Sequence, residues 1–354
     1  MNRQDTQASN LFDKNSINLS LRLTGTAALA FATTPFALSS AGAQEARAAE
    51  ATAAELGVME VSLKDAIQFN LGIQGQTQGA GTPNESGIGA FVPLVVGENS
   101  VLFLDALANV NLPDFGNSSS IINTEVAGTT ISTSTRLGYR WLNSDRSWMF
   151  GVNAGYDSRP MATGQADTGI PVSNSQTVFF QQVAAGVEAV SNNWAFNAYA
   201  LVPVGTTNAR INSFYQAGAL DTYGLDVVYN ITPDFKASVG YYYQNGDLDT
   251  ANGSGVEGRL SYNIANGLTI GANLSYDQAF ETRFSADVKY RFGSNEYGAP
   301  SKKKAWQSPV IQALTDSVKH RDVRVHDKNA PPPGTTTILT IGVDILSIGG
   351  ELAG

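Results

Sequence analysis

The sequence predicts an all-β fold, an antiparallel twelve-stranded transmembrane β-barrel of outer-membrane type, and three observations predict it. The first is the stretch from Phe284 to Phe292. Phe284, Ala286, Val288, Tyr290 and Phe292 fall on one face, while Ser285, Asp287, Lys289 and Arg291 fall on the other. A strand apolar on one side and charged on the other fits a wall between lipid and a wet lumen. The second is a hydrophobic period of two, not 3.6, from Gln68 onward. The third is an alternation of short and long connections, the pattern of turns on the periplasmic side and loops outside.

The elements follow in order. Phe69, Leu71 and Ile73 alternate with Asn70, Gly72 and Gln74. The second candidate strand runs from Gly87 to Val96, with Pro93 an oddity for a central strand. The third is Val101 to Val110. Thr135, Leu137, Tyr139 and Trp141 mark the fourth, and Trp148, Phe150, Val152, Ala154 and Tyr156 the fifth. Gln176 to Val190 and Trp194 to Val204 follow. Tyr223 to Asn230, Phe235 to Tyr243, Val256 to Ile264 and Leu268 to Asp277 come next, and the strand ending at Phe292 is the twelfth. An even count is what a single-chain barrel of this type requires. Short links at 143–146, 191–193, 231–234 and 265–267 alternate with longer ones at 158–175, 205–217 and 246–254. Aromatics such as Trp141, Trp148, Trp194, Tyr229, Tyr276 and Phe292 sit near strand ends, where interfacial girdles form. A soluble sandwich would use shorter strands; these run about ten residues, the length of a tilted spanning strand.

Composition agrees. The 354 residues include 35 Gly and no Cys, with a net charge of −9. No apolar run reaches the roughly 18 residues of a membrane helix. The acidic balance argues against a nucleic-acid partner. Absence of Cys removes disulfides, thiolate metal sites and Cys nucleophiles together. Residues 1–43 read as a signal peptide: Lys14 and Arg22 precede an apolar stretch ending in Ala41-Gly42-Ala43. A short periplasmic segment, 44–67, then leads into a barrel over 68–292.

Several segments resemble the translocation barrel of the inverse autotransporters, the intimin and invasin group. They are Phe91-Val-Pro-Leu94, Arg136-Leu-Gly-Tyr-Arg140, Trp148 to Asp157, Ala185-Gly-Val-Glu188, Asn197-Ala-Tyr199, Tyr223-Gly-Leu-Asp226 with Pro233, and Tyr241-Tyr-Tyr243. Their order and spacing carry the resemblance. It implies type V secretion: a linker over 293–334 re-enters the lumen and carries a C-terminal passenger outward for adhesion. The implied partners are outer-membrane lipid, the barrel-assembly machinery, periplasmic chaperones and a host or surface receptor reached through the passenger. The stretch 301–330 carries Lys302, Lys303, Lys304, Lys319, Arg321, Arg324 and Lys328 against three Asp. The lumen candidates Asp226, Glu257, Asp277, Glu281 and Asp287 are suited to receive it. The alternative is a small outer-membrane diffusion porin, or a surface barrel with a vestigial tail. The chain departs from the family in two ways. Only Gln44 to Ile67 precede the barrel, too few for the family's peptidoglycan-binding module. Residues 335–354 form a short tail or the start of a truncated passenger.

No enzymatic chemistry is expected. The two His residues, His320 and His326, both lie past the barrel, so no strand nucleophile has an imidazole from the wall. Inward carboxylates read as lumen solvation and salt bridges. No calcium loop of EF-hand spacing appears, and 246–253 reads as a plain surface loop. No cofactor or metal site is expected. Tyr290 and Phe292 resemble the terminal aromatic signal read by barrel-assembly machinery, although Asp287 replaces the usual glycine.

Overall fold

The computed structural model describes residues 62–115, 118–166, 169–265, 267–292 and 308–331. The signal-peptide stretch, Lys302 to Lys304 and residues 335–354 lie outside these residues.

Twelve long strands build the wall. They are β1 (Asn70–Gln76), β2 (Asn84–Val96), β3 (Ser100–Leu112), β5 (Thr130–Leu142), β6 (Met149–Ala166), β7 (Thr177–Val190), β8 (Trp194–Val204), β10 (Tyr215–Asn230), β11 (Phe235–Gly246), β12 (Gly253–Ala265), β13 (Leu268–Asp277) and β14 (Glu281–Arg291). Each pairs antiparallel with its neighbour in that order, and β14 returns onto β1 from Gly72↔Arg291 to Gln76↔Asp287. Closure leaves no sheet edge, which matters because an unpaired backbone group in hydrocarbon costs several kcal/mol. Three short strands lie off the wall: β4 (Thr124–Val126) on β6, β9 (Asn208–Arg210) on β10, and β15 (Val325–Asn329), also on β10. Short turns collect at one end with the start of β1 and the finish of β14. We call this the turn end, and the opposite one the loop end.

The alternation sorts side chains by face. Phe284, Val239 and Leu260 are exposed on the outer face at 66%, 68% and 51%. Arg136, Asp157, Gln182 and Asp226 are buried inside. Pro93 sits where the β2–β3 register shifts between Pro93 and Val95, a β-bulge. Pairing of β2 with β1 has already stopped at Phe91, so the missing Pro93 N–H costs that side no ladder bond.

The lumen is not uniformly polar. At the turn end Phe91, Val101, Phe103, Leu142 and Met149 point inward and pack with Leu63, Ile67, Val310, Ile311 and Leu314. Strands also reach further at the loop end than their period suggests. β6 continues to Ala166 and β10 begins at Tyr215, across stretches the alternation assigns to loops. There Met161, Phe180, Ile211, Tyr215, Ala217, Val323 and Val325 form a second apolar cluster. Side chains on this extension face a small core instead of lipid, so the in–out rhythm of the wall does not hold. The loop at 246–253 is likewise no plain surface loop, because Leu248 and Ala251 are buried at 4% and 1%.

Candidate functional site: the filled lumen

Residues 308–331 run through the barrel from the turn end to the loop end. A short helix, Pro309–Ala313, begins the passage with Pro at its first position, where a missing N–H is harmless. Its Val310 and Ile311 join the turn-end cluster. The passage finishes in β15, which pairs with β10 from Tyr215↔Asn329 to Ala219↔Val325. Beyond it, Arg210 Nη1 donates to Pro331 O at 3.2 Å.

Between these ends the segment is held by charge. Asp105 on β3 accepts from Ser317 Oγ at 3.0 Å and from the Val318 backbone N–H at 3.1 Å. His320 Nε2 lies 2.7 Å from the same carboxylate, and its Nδ1 lies 2.5 Å from Ser134 Oγ. Ser134 also lies 2.5 Å from Asp157, which Arg136 grips with both terminal nitrogens. The hydroxyl has one proton, and the charged carboxylate is its stronger acceptor. The group is therefore a hydrogen-bonded relay tying linker to wall. Arg140 binds Glu188 at 2.6 Å, donates to Asp316 O at 2.5 Å, and lies 4.5 Å from the Phe103 ring centroid. Fully buried Arg159 donates to Gly81 O and Val323 O, both at 2.6 Å, and pairs with Asp322 at 3.5 Å.

The expected linker cations are placed as follows. Lys319 Nζ reaches Asp226 at 3.1 Å and Glu257 at 3.5 Å. Arg321 donates to Asp226 and stacks 3.4 Å from the Tyr199 ring centroid. Gly224 gives that ring its seat, since a Cβ there would lie 2.4 Å from Tyr199 ring atoms. Arg324 donates to Ala80 O at 3.0 Å and pairs with Asp277 at 3.3 Å, between the rings of Tyr242 and Phe280. Lys302, Lys303 and Lys304 lie outside the described residues. Of the lumen carboxylates, Asp226, Glu257 and Asp277 meet the linker. Asp287 pairs with Arg259 of the wall, and Glu281 is exposed at the loop end. Tyr290 and Phe292 face outward at the turn end with rings 4.8 Å apart, and Phe292 N–H donates to Leu71 O at 2.8 Å.

Sequence reasoning missed Asp105, Ser134, Arg140, Arg159 and His320. For the four on the wall the signal was present as charged or polar residues at inward positions of otherwise apolar strands. Neither His lies on a wall strand. His320 nevertheless enters the wall's network from the linker. His326, on β15, lies 2.5 Å from Thr250 Oγ1. Burial, then Lys328, pushes its pKa down to about 4, while burial pushes neighbouring Asp327 up to about 6. Among the described residues no group of His, Asp or Glu is arranged to hold a metal ion.

No family model matches the chain, and no curated protein matches it. Among solved structures, a chain from a study of in-meso crystallisation of membrane proteins overlays with a TM-score of 0.53 at 11% identity, covering 74% of this chain and 100% of that one. The chain is a closed outer-membrane-type β-barrel. At that identity the likeness speaks to fold alone. Outer membrane phospholipase A from Escherichia coli overlays at TM-score 0.33 and 15% identity, covering 64% of this chain and 91% of that one. An outer-membrane channel from Pseudomonas putida F1 overlays at 0.40 and 10% identity, covering 64% and 95%. Both overlays are too loose to carry an argument.

Proposed function

We propose that this barrel anchors and exports a C-terminal segment, in the manner of an inverse autotransporter of intimin or invasin type. One observation carries the reading: residues 308–331 stand in the lumen from turn end to loop end, so the chain leaves the barrel on the side of the long loops. With turns toward the periplasm, whatever follows Pro331 is delivered outward. The same orientation leaves Tyr290 and Phe292 at the periplasmic rim, where assembly machinery would read them. Adhesion, and a receptor for it, would belong to the exported part.

The test is display. An epitope fused after Gly354 should become accessible to antibody on intact Gram-negative cells. An epitope that stays protected while the barrel is heat-modifiable and membrane-inserted would reject export. A second reading, a small channel, is favoured by a cavity of about 1940 Å³ that remains beside the linker. Conductance in planar bilayers separates them. Removing residues 301–354 should raise it sharply if the linker obstructs the lumen, and leave it unchanged if the lumen is already an open pore.

A further inference from the structure

Most of the linker's polar holds fall on one arc of the wall. The main ones are Asp105 on β3, Arg140 on β5, Arg159 on β6 and Gln182 on β7, whose Nε2 donates to Arg321 O at 3.0 Å. On the other arc Arg291 of β14 donates to Asp316 Oδ1 at 2.7 Å and to Thr315 O near the turn end, and Glu257 of β12 meets Lys319 at 3.5 Å. The remaining cavity follows the linker through the lumen, and along the other arc its lining includes Gln74, Ser238, Arg259, Asn273, Asp287 and Lys289. The residues along that arc are polar and suit water, and a cavity of about 1940 Å³ is large enough for many water molecules. At the turn end the cavity reaches the rim at Asn193, Thr232 and Asp234. Toward the loop end its lining includes Ala80, Thr82, Tyr242 and Arg324 but not Leu220, Ala251 or Phe280.

Arg324 stands apart from the other linker cations by lying between two aromatic rings near the loop end. It reaches across to the far arc, where its guanidinium lies 4.6 Å from the Tyr242 centroid on β11 and 5.2 Å from that of Phe280. It also meets Asp277 on β13 and Ala80 O in the β1–β2 loop. Above it Leu220, Ala251 and Phe280 form an apolar cluster with Ala80, Ile122 and Ala279. A charged plug under an apolar lid closes a wet lane. The linker does not need Arg324 to stay in register, since β15, Arg159 and the Asp105 grouping hold it independently.

We propose that the lumen contains a second path, for ions and small hydrophilic solutes, beside the linker, and that the Arg324–Tyr242–Phe280 stack is its seal. The inference rests on the linker's place in the lumen and not on export, so a chain that fails to display an epitope would still show it.

The test uses the full chain in planar bilayers. The wild-type protein should conduct little, while Arg324→Ala and Phe280→Ala should each raise conductance several-fold. Folding is checked by heat-modifiable migration. The chain lacks native Cys, so a disulfide between Q216C and K328C, which stand opposite each other on β10 and β15, tethers the linker while leaving the Asp105 grouping intact. Higher conductance in tethered Arg324→Ala supports a seal beside a seated linker. Three results would overturn it: folded Arg324→Ala and Phe280→Ala that conduct like wild type, a gain that vanishes on tethering, or a wild type that conducts as much as the chain lacking 301–354.

Discussion

Asp105 is fully buried and serves three linker groups, Ser317, Val318 and His320. Replacing it with Ala leaves a buried backbone N–H and an imidazole without their acceptor. At about 1–3 kcal/mol for each stranded group, Asp105→Ala should lower stability by about 3 kcal/mol, read as the denaturation midpoint of the refolded barrel in detergent. Arg140 is a sterner case because its removal also strands Glu188 beside an apolar cluster. Breaking a buried pair costs about 3–5 kcal/mol, so Arg140→Ala should be worse than Asp105→Ala. Arg140→Lys should recover little, since an ammonium cannot reproduce the fork that reaches Glu188 and Asp316 O together. Equal midpoints for the Lys variant and wild type would show that charge alone suffices.

At the scale of elements, β6 is narrow where it passes β5. A Cβ on Gly155 would lie 1.7 Å from the Thr135 backbone oxygen, whereas on Gly258 of β12 the nearest atom is 4.0 Å away. Gly155→Ala should therefore cost about 1–3 kcal/mol or block assembly, and Gly258→Ala should be tolerated. Yields of heat-modifiable barrel compare them directly. β15 carries two opposed titrations outside the wall. For His326 the folded pKa is depressed, to about 4. Its neutral form therefore supports the fold above its ordinary value of about 6.5, and that support is lost as pH falls toward 4. For Asp327 the folded pKa is raised, to about 6. The cost of burying its carboxylate is therefore relieved as pH falls through 6 toward its ordinary value of about 3.9. Acidification from about pH 7 to 5 should then loosen the β15 clamp in Asp327→Asn and tighten it in His326→Gln. Protease sensitivity of the linker near Asn329 reads both, and a common direction in the two variants would contradict the assignment.

On the scale of the whole molecule, wall and linker stabilise each other. The turn-end cluster takes Val310, Ile311, Ala313, Leu314 and Val318 from the linker, and the loop-end cluster takes Val323 and Val325. Fully burying such a side chain contributes about 1.5–3 kcal/mol. Deleting 308–331 should thus leave a closed barrel, because the strand ladder is complete without it, but with a clearly lower denaturation midpoint. An unchanged midpoint would mean that the linker is a passive occupant. The closing seam supplies the contrast. β14 meets β1 over a short register from Gly72 to Gln76, whereas it meets β13 from Leu268 to Asp277. The wall's own shortest join is also braced by the linker, since Arg291 at this seam donates to Asp316 Oδ1 at 2.7 Å and to Thr315 O.

Period-two alternation was enough to read the barrel, its strand order and its lipid-facing residues, from Phe69 to Phe292. That rhythm is a local consequence of strand geometry between two different solvents, so it is written in neighbouring residues. The alternation had no such reach at Tyr215, Leu248 or Phe91, where apolar side chains face a protein core and not lipid. Nor could it pair Asp105 with His320 or Asp226 with Arg321, because those partners are joined only when the barrel closes and a distant stretch of chain enters it. Charge at an inward position announces that a partner is needed. Which partner, and which side of the lumen the linker takes, depends on the threaded path of the chain.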